Sequence, residues 1–398
     1  MDPGGPDNCS IFQAKRSLGG FPEMHIYGPN ELLKDIHERD LCVACGACVD
    51  LCPYFKTYRG KTAMIFPCDL EQGRCYAHCP KAEVDLDQLS ENLRGKPYEG
   101  SALGDYSKVF AARAGDRMSE GPFQAGGAVS AIMSFALENA IIDSAVLTDR
   151  EGLVPVPKIA TRASEVVEFA GSKYMAAPTV AAVNRGAREG YTRMGFVGTP
   201  CQVTAIEQMR LNPLDRPDFV DPVALVVGLF CTWALDTRKL IAMLSKRLDI
   251  SGIRKMDIPP PPAEIFVLET DEGRIEIPLD EIRPLVPQGC LVCPDMTSEW
   301  ADISVGVLEG EPEWNILVIR SEKGNEIVEK AVSEGWLQTK EIPERSLAHL
   351  AFAASKKRKR SLIKCIEQGF LNSGEKERHS VLRISEDVVR KIVGEQEG

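Results

Sequence analysis

The stretch CVACGACVDLCP, Cys42 to Pro53, spaces four cysteines as C-x2-C-x2-C-x3-C and follows them with proline. This run holds iron–sulfur clusters in bacterial ferredoxins, where the fourth cysteine serves the second of two clusters. Three cysteines at this spacing lie on a tight turn, so their thiolates point to a common centre. Zinc is the alternative metal, but its sites usually pair two separated C-x2-C knuckles. The spacing therefore predicts at least one 4Fe–4S cluster.

A second group of cysteines follows in CDLEQGRCYAHCP. Ferredoxin spacing divides the seven cysteines into two groups: Cys42, Cys45, Cys48 and Cys79 in the first, and Cys52, Cys68 and Cys75 in the second. Seven thiolates are one short of the eight that two clusters need. The second cluster therefore has a non-cysteine ligand, takes a cysteine from elsewhere such as Cys9, or is absent.

Four further cysteines are dispersed along the chain: Cys201, Cys231, Cys290 and Cys293. The first two come just after predicted strands, and the last two form a C-x2-C knuckle. Four thiolates that meet at one edge of a sheet would suffice for a third cluster. Cys201 alone is also compatible with a nucleophile, because a helix N-terminus lowers a thiol pKa. Its segment offers no histidine as a base.

Composition limits the class of protein. The 398 residues carry a net charge of −11, which argues against general nucleic-acid binding. Thirteen cysteines fit ligands of a reducing compartment better than disulfides. We expect a cytoplasmic protein with no membrane span, because no signal sequence or long apolar stretch is present. One basic run, Lys356 to Arg360, is either a solvated helix end or a docking patch for an acidic ligand or partner.

Hydrophobic periodicity predicts strands and helices in alternation after Val109. RMGFVG reads as a strand, TPCQ as a turn and VTAIEQMR as a helix, which is the pattern of a parallel α/β unit. EIFVLET and RIEIPL predict a hairpin across DEG. The fold class is thus α/β (α+β overall), with a ferredoxin-like iron–sulfur module in front. The predicted divisions are an arm (1–35), the module (36–95), two body regions (105–192 and 193–370) and a charged, peripheral tail (371–398).

Several motifs together resemble a known family over about residues 40 to 360. They are GGAVSAIMSFALE, GSKY, VGTPCQ, the C-x2-CPD knuckle with ADISVG, and ILVIRSEKG. In this order and spacing they are similar to the coenzyme F420 hydrogenase/dehydrogenase beta-subunit family, which includes formate dehydrogenase beta subunits and 7-hydroxymethyl chlorophyll a reductase. The resemblance implies an FAD-binding body, FAD as cofactor, two or three 4Fe–4S clusters and coenzyme F420 as substrate.

The resemblance also assigns residues. It implies that Cys201, Cys231, Cys290 and Cys293 hold the cluster nearest to the flavin. It implies that the flavin and coenzyme pocket is lined by Gly126, Gly127, Ser130, Ser172, Lys173 and Tyr174, next to Thr199, Pro200 and Gln202. Lys173 would meet a pyrophosphate or the flavin N1, although it reads equally as a surface cation. Gly126 and Gly127 would admit a ligand to the backbone, or merely begin a helix. No G-x-G-x-x-G follows a strand, so a Rossmann site is not supported.

The leading hypothesis is a subunit that exchanges hydride between coenzyme F420 and FAD and relays single electrons through its clusters. No residue needs to be a catalytic acid or base, since flavin does the chemistry. The expected partner is a catalytic subunit such as a hydrogenase, a formate dehydrogenase or a heterodisulfide-reductase-type protein. Two alternatives remain: an FAD/iron–sulfur reductase of another organic substrate that uses ferredoxin or NAD(P)H, and a non-catalytic electron-relay adapter.

Overall fold

The structure is a computed structural model that describes residues 26–118, 120–214, 216, 218–260, 262–372 and 381–394. The first 25 residues of the predicted arm, with Cys9, lie outside this range. In the described part of the chain, no helix has the length and apolar character to cross a membrane.

Helices and strands follow one another along the described chain. The helices are α1 (Pro29–Leu32), α2 (Arg74–Ala77), α3 (Leu86–Arg94), α4 (Ala128–Glu138), α5 (Ala163–Glu168), α6 (Thr179–Glu189), α7 (Pro200–Leu211), α8 (Thr237–Leu244), α9 (Leu279–Ile282), α10 (Gln288–Leu291), α11 (Glu322–Ser333), α12 (Glu344–Glu367) and α13 (Glu386–Val393). A π-helical turn (Leu33–His37) continues α1, and short 3-10 turns cover Asp116–Met118, Ile250–Gly252 and Arg283–Leu285.

The strands are β1 (Phe55–Tyr58), β2 (Lys61–Met64), β3 (Val84–Asp85), β4 (Lys108–Ala114), β5 (Ser144–Glu151), β6 (Val154–Ala160), β7 (Met194–Gly198), β8 (Val223–Leu229), β9 (Ile253–Asp257), β10 (Ile265–Thr270), β11 (Gly273–Pro278), β12 (Ile303–Val307), β13 (Asn315–Ile319), β14 (Leu337–Lys340), β15 (Leu371–Asn372) and β16 (Leu382–Arg383). The strands and helices predicted from periodicity in the body are confirmed.

An eight-stranded sheet forms the body, in the order β14-β4-β13-β12-β8-β7-β5-β6. Its centre is parallel, because β5 pairs with β7, β7 with β8, and β8 with β12 in that sense. The outer pairs, including β4 with β13 and β5 with β6, are antiparallel. The predicted α/β class is therefore confirmed with antiparallel edges. Strands from both predicted body regions share this one sheet.

Helices cover both faces of the sheet, so its central strands are buried on both sides. Along β7, Phe196 packs with α6 and α7, while Val197 packs on the opposite face with α4. This follows from the alternation of side chains along a strand. Complete burial of a side chain such as Phe196 contributes about 1.5–3 kcal/mol. The carboxyl ends of β7 and β8 consequently lie side by side at one rigid edge.

Two smaller layers complete the body. The strands β9, β10 and β11 form an antiparallel sheet with its own apolar core, and the predicted DEG hairpin joins β10 to β11. The long helix α12 packs through Leu350 and Ala354 against the β4–β13 side of the central sheet. Its later turns run along the cysteine knuckle.

One helix was not predicted, and one prediction about the tail needs correction. The end of the module contains α3, which buries Leu86 and Leu89 and begins at an Asp85 cap. The tail is not peripheral in its described part. Its strand β16 pairs in parallel with β3 of the N-terminal module, and Val381 and Ile384 are buried there. Apolar residues within the charged tail explain the difference.

Candidate metal centres and coenzyme pocket

Four cysteines of the N-terminal module meet around one cavity. Its lining includes Cys42, Cys45, Cys48 and Cys79, together with Cys75 and the apolar side chains of Leu32, Ile36, Val43 and Ala47. The structure thus brings together the first group that ferredoxin spacing predicts. The lining also includes His37, Thr62 and Lys81, but thiols and alkyl groups predominate, which suits a compact iron–sulfur cluster.

The cysteine loop is held by a helix of the body. The backbone N–H of Val180 in α6 donates to the Cys45 carbonyl at 3.1 Å. The side-chain amide of Asn184, one turn later, donates to the carbonyls of Ala47 and Val49 at 3.1 and 2.8 Å. The loop therefore takes its shape from the body as well as from its own residues.

Burial and mutual repulsion keep these thiols protonated in the absence of metal. Burial raises the pKa of Cys45 well above its usual value, and the thiolates of Cys79 and Cys201 raise it further. The pKa of Cys79 is raised to about 12, again mainly by burial. Bound iron would displace these protons and remove the repulsion, so metal affinity must rise with pH.

The second predicted group, Cys52, Cys68 and Cys75, is also drawn together. Burial raises the pKa of Cys75 to about 12, and the nearby thiolates of Cys52 and Cys68 add to the shift. The Asn30 side chain donates to the Cys68 carbonyl at 3.3 Å and ties this segment to α1. Cys9, the candidate eighth cysteine, lies outside the described residues. Cluster binding by this group stays a prediction.

The four dispersed cysteines converge at the carboxyl edge of the central sheet. Cys201 lies in the first turn of α7 after β7, Cys231 follows β8, and the knuckle approaches on α10. Burial raises the pKa of Cys201 to about 12, with further contributions from Cys293 and Cys290. Burial likewise raises the pKa of Cys231, and all three other thiolates act on it. The predicted set is therefore brought together as one half-buried group of four thiols.

This site lies beside the N-terminal one. The thiols of Cys45 and Cys201 interact electrostatically across the boundary between module and body. The side chain of Lys81 is buried between them and interacts with both Cys79 and Cys290. The backbone at Gly289, on α10, packs directly against the Leu41 carbonyl of the module. Two cysteine sites thus stand next to each other in the fold.

In the described residues, no three His, Cys, Asp or Glu side chains lie close enough to share a single metal ion. The requirement for a 4Fe–4S cluster is different, because each thiolate binds its own iron atom. The chemistry of the donors fits such clusters, because five thiols line the module cavity and four half-buried thiols meet at the edge of the sheet.

The turn that carries Cys201 is fixed by Gln202. The backbone N–H of Thr199 donates to Gln202 Oε1 at 2.8 Å, which closes a capping box at the start of α7. Gln202 Nε2 donates to the Ala177 carbonyl at 2.7 Å and to Thr179 Oγ1 at 3.1 Å. Of the predicted residues Thr199, Pro200 and Gln202, it is Gln202 that bonds the segment leading into α6, while Thr199 and Pro200 begin α7.

The basic run lies inside α12 and is only partly solvated, and docking by its exposed members stays a prediction. Lys357 and Arg358 are only 3% and 2% exposed, whereas Lys356, Lys359 and Arg360 are exposed. Burial lowers the pKa of Lys357, but the thiolates of Cys293 and Cys231 outweigh it, so the net shift is upward. Arg358 pairs with buried Glu299 at 3.0 Å.

The predicted glycines begin α4 and are enclosed by the protein. Gly127 has a φ of +76° and serves as the N-cap of the helix, which favours glycine. A side chain at Gly126 would collide with the Glu313 carbonyl, and Asn315 accepts from the Ala128 backbone N–H at 3.1 Å. Ser130 is buried in the first turn. Contact of these residues with a coenzyme stays a prediction.

The GSKY segment meets the α4 turn through Gln124. Gln124 Nε2 donates to Asp257 Oδ1 at 2.8 Å, and its Oε1 accepts from the Ser172 backbone N–H at 3.4 Å. The Tyr174 hydroxyl donates to the same Asp257 oxygen at 2.7 Å, and both burial and this carboxylate raise the pKa of Tyr174. Sequence reasoning missed Gln124, although it lies two residues before Gly126, and it had no signal for Asp257.

Lys173 is not an ordinary surface cation. Its side chain is 12% exposed, and Nζ donates to the carbonyls of Phe169 and Ala170 at 3.4 and 3.1 Å. Burial lowers its pKa, while Asp149, 3.7 Å away, opposes that shift. The Tyr174 hydroxyl and the Gln124 amide already donate to Asp257, and the Lys173 ammonium donates to backbone carbonyls, so contact of this segment with a coenzyme stays a prediction.

Comparison with known proteins matches three family models to this chain. Two of them describe the "Coenzyme F420 hydrogenase/dehydrogenase, beta subunit": the model of its N-terminal part matches residues 109–184, and the model of its C-terminal part matches residues 191–345. Residues 36–54 match "4Fe-4S binding domain". The two beta-subunit models together cover the central sheet and all four dispersed cysteines.

Relatives agree with these matches. The coenzyme F420 hydrogenase subunit beta of Methanothermobacter thermautotrophicus is 30% identical over 61% of this chain and 87% of that protein. The coenzyme F420-dependent sulfite reductase of Methanocaldococcus jannaschii is 28% identical over 74% of this chain, which spans only 46% of that protein. A chain of the F420-reducing [NiFe] hydrogenase complex from Methanosarcina barkeri superposes with a TM-score of 0.62 at 28% identity, covering 67% of this chain and 93% of that one. This chain therefore belongs to the coenzyme F420 hydrogenase/dehydrogenase beta-subunit family and carries a 4Fe-4S binding module at residues 36–54.

Proposed function

We propose that this chain is the F420-linked subunit of an oxidoreductase complex, which exchanges hydride between coenzyme F420 and FAD and relays single electrons through 4Fe–4S clusters. The observation that carries the proposal is the adjacency of two four-thiol sites, one in the module and one at the edge of the sheet. Electrons pass between clusters only over short distances, so a relay between distant redox partners needs clusters at adjacent sites.

The residues that would hold FAD are those gathered around Gln124. Ser172, Lys173 and Tyr174 would contact FAD, and the Lys173 ammonium would exchange its backbone carbonyl partners for a phosphate or ring oxygen. When bound, FAD supplies the conversion between two-electron hydride chemistry and single-electron transfer. The protein orients the coenzyme through Asp257, which fixes both Gln124 and the Tyr174 hydroxyl.

The four dispersed cysteines would hold the cluster that receives electrons first. Their loops extend from the same body that carries the proposed coenzyme residues, and Gln202 connects the two regions through Ala177. The cavity of Cys42, Cys45, Cys48 and Cys79 would hold the next cluster. The group of Cys52, Cys68 and Cys75 would hold the third, nearest to a partner subunit. That partner would be a catalytic subunit of the kind named for the relatives, such as a hydrogenase.

The test begins with anaerobic reconstitution and a count of metal and flavin. Twelve irons and one FAD per chain are expected for three clusters, and eight irons if the seven-cysteine region holds only one. Reduced F420, NADPH and reduced ferredoxin are then offered as donors. We expect reduced F420 to bleach the flavin absorbance. Bleaching by another donor but not by reduced F420 would refute the substrate assignment, and iron without flavin would favour an electron-relay adapter.

A further inference from the structure

The helix α12 is bonded along one stripe to the cysteine knuckle. Residues four apart on a helix share a face, and Lys357, Ser361 and Cys365 occupy such positions. Lys357 Nζ donates to the Asp295 carbonyl at 2.6 Å, and Ser361 Oγ donates to the Cys293 carbonyl at 2.8 Å. Cys365 Sγ lies 3.8 Å from the Val292 carbonyl. The helix thus fixes the main chain around the second knuckle cysteine.

Lys357 also joins the knuckle to the other half of the site. Its Nζ donates to the Cys231 carbonyl at 2.7 Å, so one ammonium bridges the loop after β8 and the loop after α10. The backbone N–H of Cys231 donates to the Met296 carbonyl at 2.9 Å and supports the same junction. A neutral donor could also donate hydrogen bonds to the Cys231 and Asp295 carbonyls. The fixed positive charge is what distinguishes a lysine here.

That charge is buried among the thiols of the site. Lys357 is 3% exposed and interacts electrostatically with Cys231, Cys290 and Cys293. Burial of an ammonium is costly unless opposite charge compensates for it. A four-thiolate cluster carries net negative charge, which supplies that compensation. The lysine comes from a helix beyond residue 345, where the beta-subunit family match ends.

We propose that Lys357 is a positioning residue that raises the reduction potential of the cluster held by Cys201, Cys231, Cys290 and Cys293. The proposal rests on the proposed function, which places a cluster there. Reduction adds one electron, and hence one negative charge, to the cluster. A fixed cation in a poorly screened interior stabilises the reduced form more than the oxidised form. In this proposal the electron would enter the cluster from the reduced flavin and leave to the neighbouring module.

The experiment compares reconstituted full-length variants by anaerobic redox titration, with the cluster followed by electron paramagnetic resonance. Lys357→Gln removes the charge but keeps a donor, Lys357→Met removes both, and Lys357→Arg keeps the charge. Lys359→Met is the matched control, because it removes an exposed charge from the same helix. For the two neutral variants we expect about a tenfold lower ratio of reduced to oxidised cluster at a fixed potential, which equals about 59 mV for a one-electron couple. Lys357→Arg and Lys359→Met should stay near the wild-type ratio.

The outcomes separate this inference from the proposed function. Iron content is measured first in a Cys290→Ser/Cys293→Ser double variant. An unchanged iron count there would show that the site holds no cluster, which would overturn both. If iron falls but the neutral Lys357 variants titrate like wild type, the inference alone is refuted. Loss of iron from both neutral variants, with retention by Lys357→Arg, would make Lys357 a residue that retains the cluster and would also overturn a role in its potential.

Discussion

Single residues decide how the cysteine sites are built, and the two glutamines of α7 show this most clearly. Gln202 satisfies three partners at the turn before Cys201, whereas the side-chain amide of buried Gln208 has no partner among the described residues. Loss of a hydrogen-bonded buried amide leaves its former partners without hydrogen bonds. Loss of a buried amide without partners removes only the cost of its desolvation. The two positions share a helix, so they form a natural comparison.

We predict that Gln202→Met lowers the free energy of unfolding by about 1–3 kcal/mol, because it leaves buried polar groups without partners. The matched change Gln208→Met should leave stability equal or higher. Urea denaturation of the two variants and the wild type measures both effects. Equal destabilisation by both changes would mean that the capping box contributes nothing beyond packing.

A carboxyl group on the same helix should make stability depend on pH. Burial is the largest influence on Glu207 and raises its pKa to about 7, although Arg210 opposes the shift. Between about pH 4.5 and pH 7 the unfolded chain has lost the proton that the folded chain still holds. Stability from this group is therefore present at low pH and lost as pH rises through that window.

We predict that Glu207→Gln removes this loss, because a glutamine has no proton to give up. The free energy of unfolding of the variant, relative to that of wild type, should be higher at pH 8 than at pH 5. Urea denaturation at both pH values measures it. If the difference in unfolding free energy between wild type and variant does not change with pH, Glu207 is not the group responsible.

The residue scale also shows what the sequence could and could not reveal. The cysteine groups were predictable, because ligand spacing and the family motifs both mark them. Asp257 and Lys357 were not. Asp257 lies on a small sheet far along the chain from Tyr174, and Lys357 belongs to a run that the sequence interpreted as either a solvated helix end or a docking patch. Only the three-dimensional packing of β9 and α12 shows which of their polar side chains face a site.

At the scale of elements, the central strands were predictable because β7 and β8 are nearly continuous apolar runs. Helix α3 was overlooked although its signals are present: an Asp85 cap, apolar residues three apart, and Gly95 in the left-handed region at its end. The pairing of β16 with β3 had no such signal. The pair joins residues about 300 positions apart through strands of only two residues. The local sequence pattern therefore cannot predict it.

The β3–β16 pair predicts a link between the tail and the N-terminal module. Val381 is fully buried and accepts a backbone bond from Val84 at 3.1 Å. Val381→Asp would bury an unpaired carboxylate, which we expect to cost about 3 kcal/mol or more. Limited proteolysis should then cleave within residues 36–95 faster than in wild type. Val220→Asp, at an exposed position, is the control, and equal cleavage of both variants would contradict the link.

At the scale of the whole molecule, the module and the body share one apolar core that includes Phe55 and Phe196. The division that the sequence predicts near residue 95 stays a prediction. Composition cannot show that α6 is hydrogen-bonded to the cysteine loop or that α10 packs against Leu41. The order of the eight strands was likewise not predictable, since four of the seven neighbouring pairs in the sheet join strands that do not follow each other in sequence.

The central claim is that electrons pass from the coenzyme pocket through the site of Cys201, Cys231, Cys290 and Cys293 to the N-terminal clusters. The most direct measurement offers reduced F420 to the reconstituted wild type and to the Cys290→Ser/Cys293→Ser variant, and follows flavin absorbance and cluster resonance together. In wild type, both the flavin and the N-terminal clusters should become reduced. In the variant the flavin should bleach while the N-terminal clusters stay oxidised. Equally fast reduction of those clusters in the variant would contradict the account.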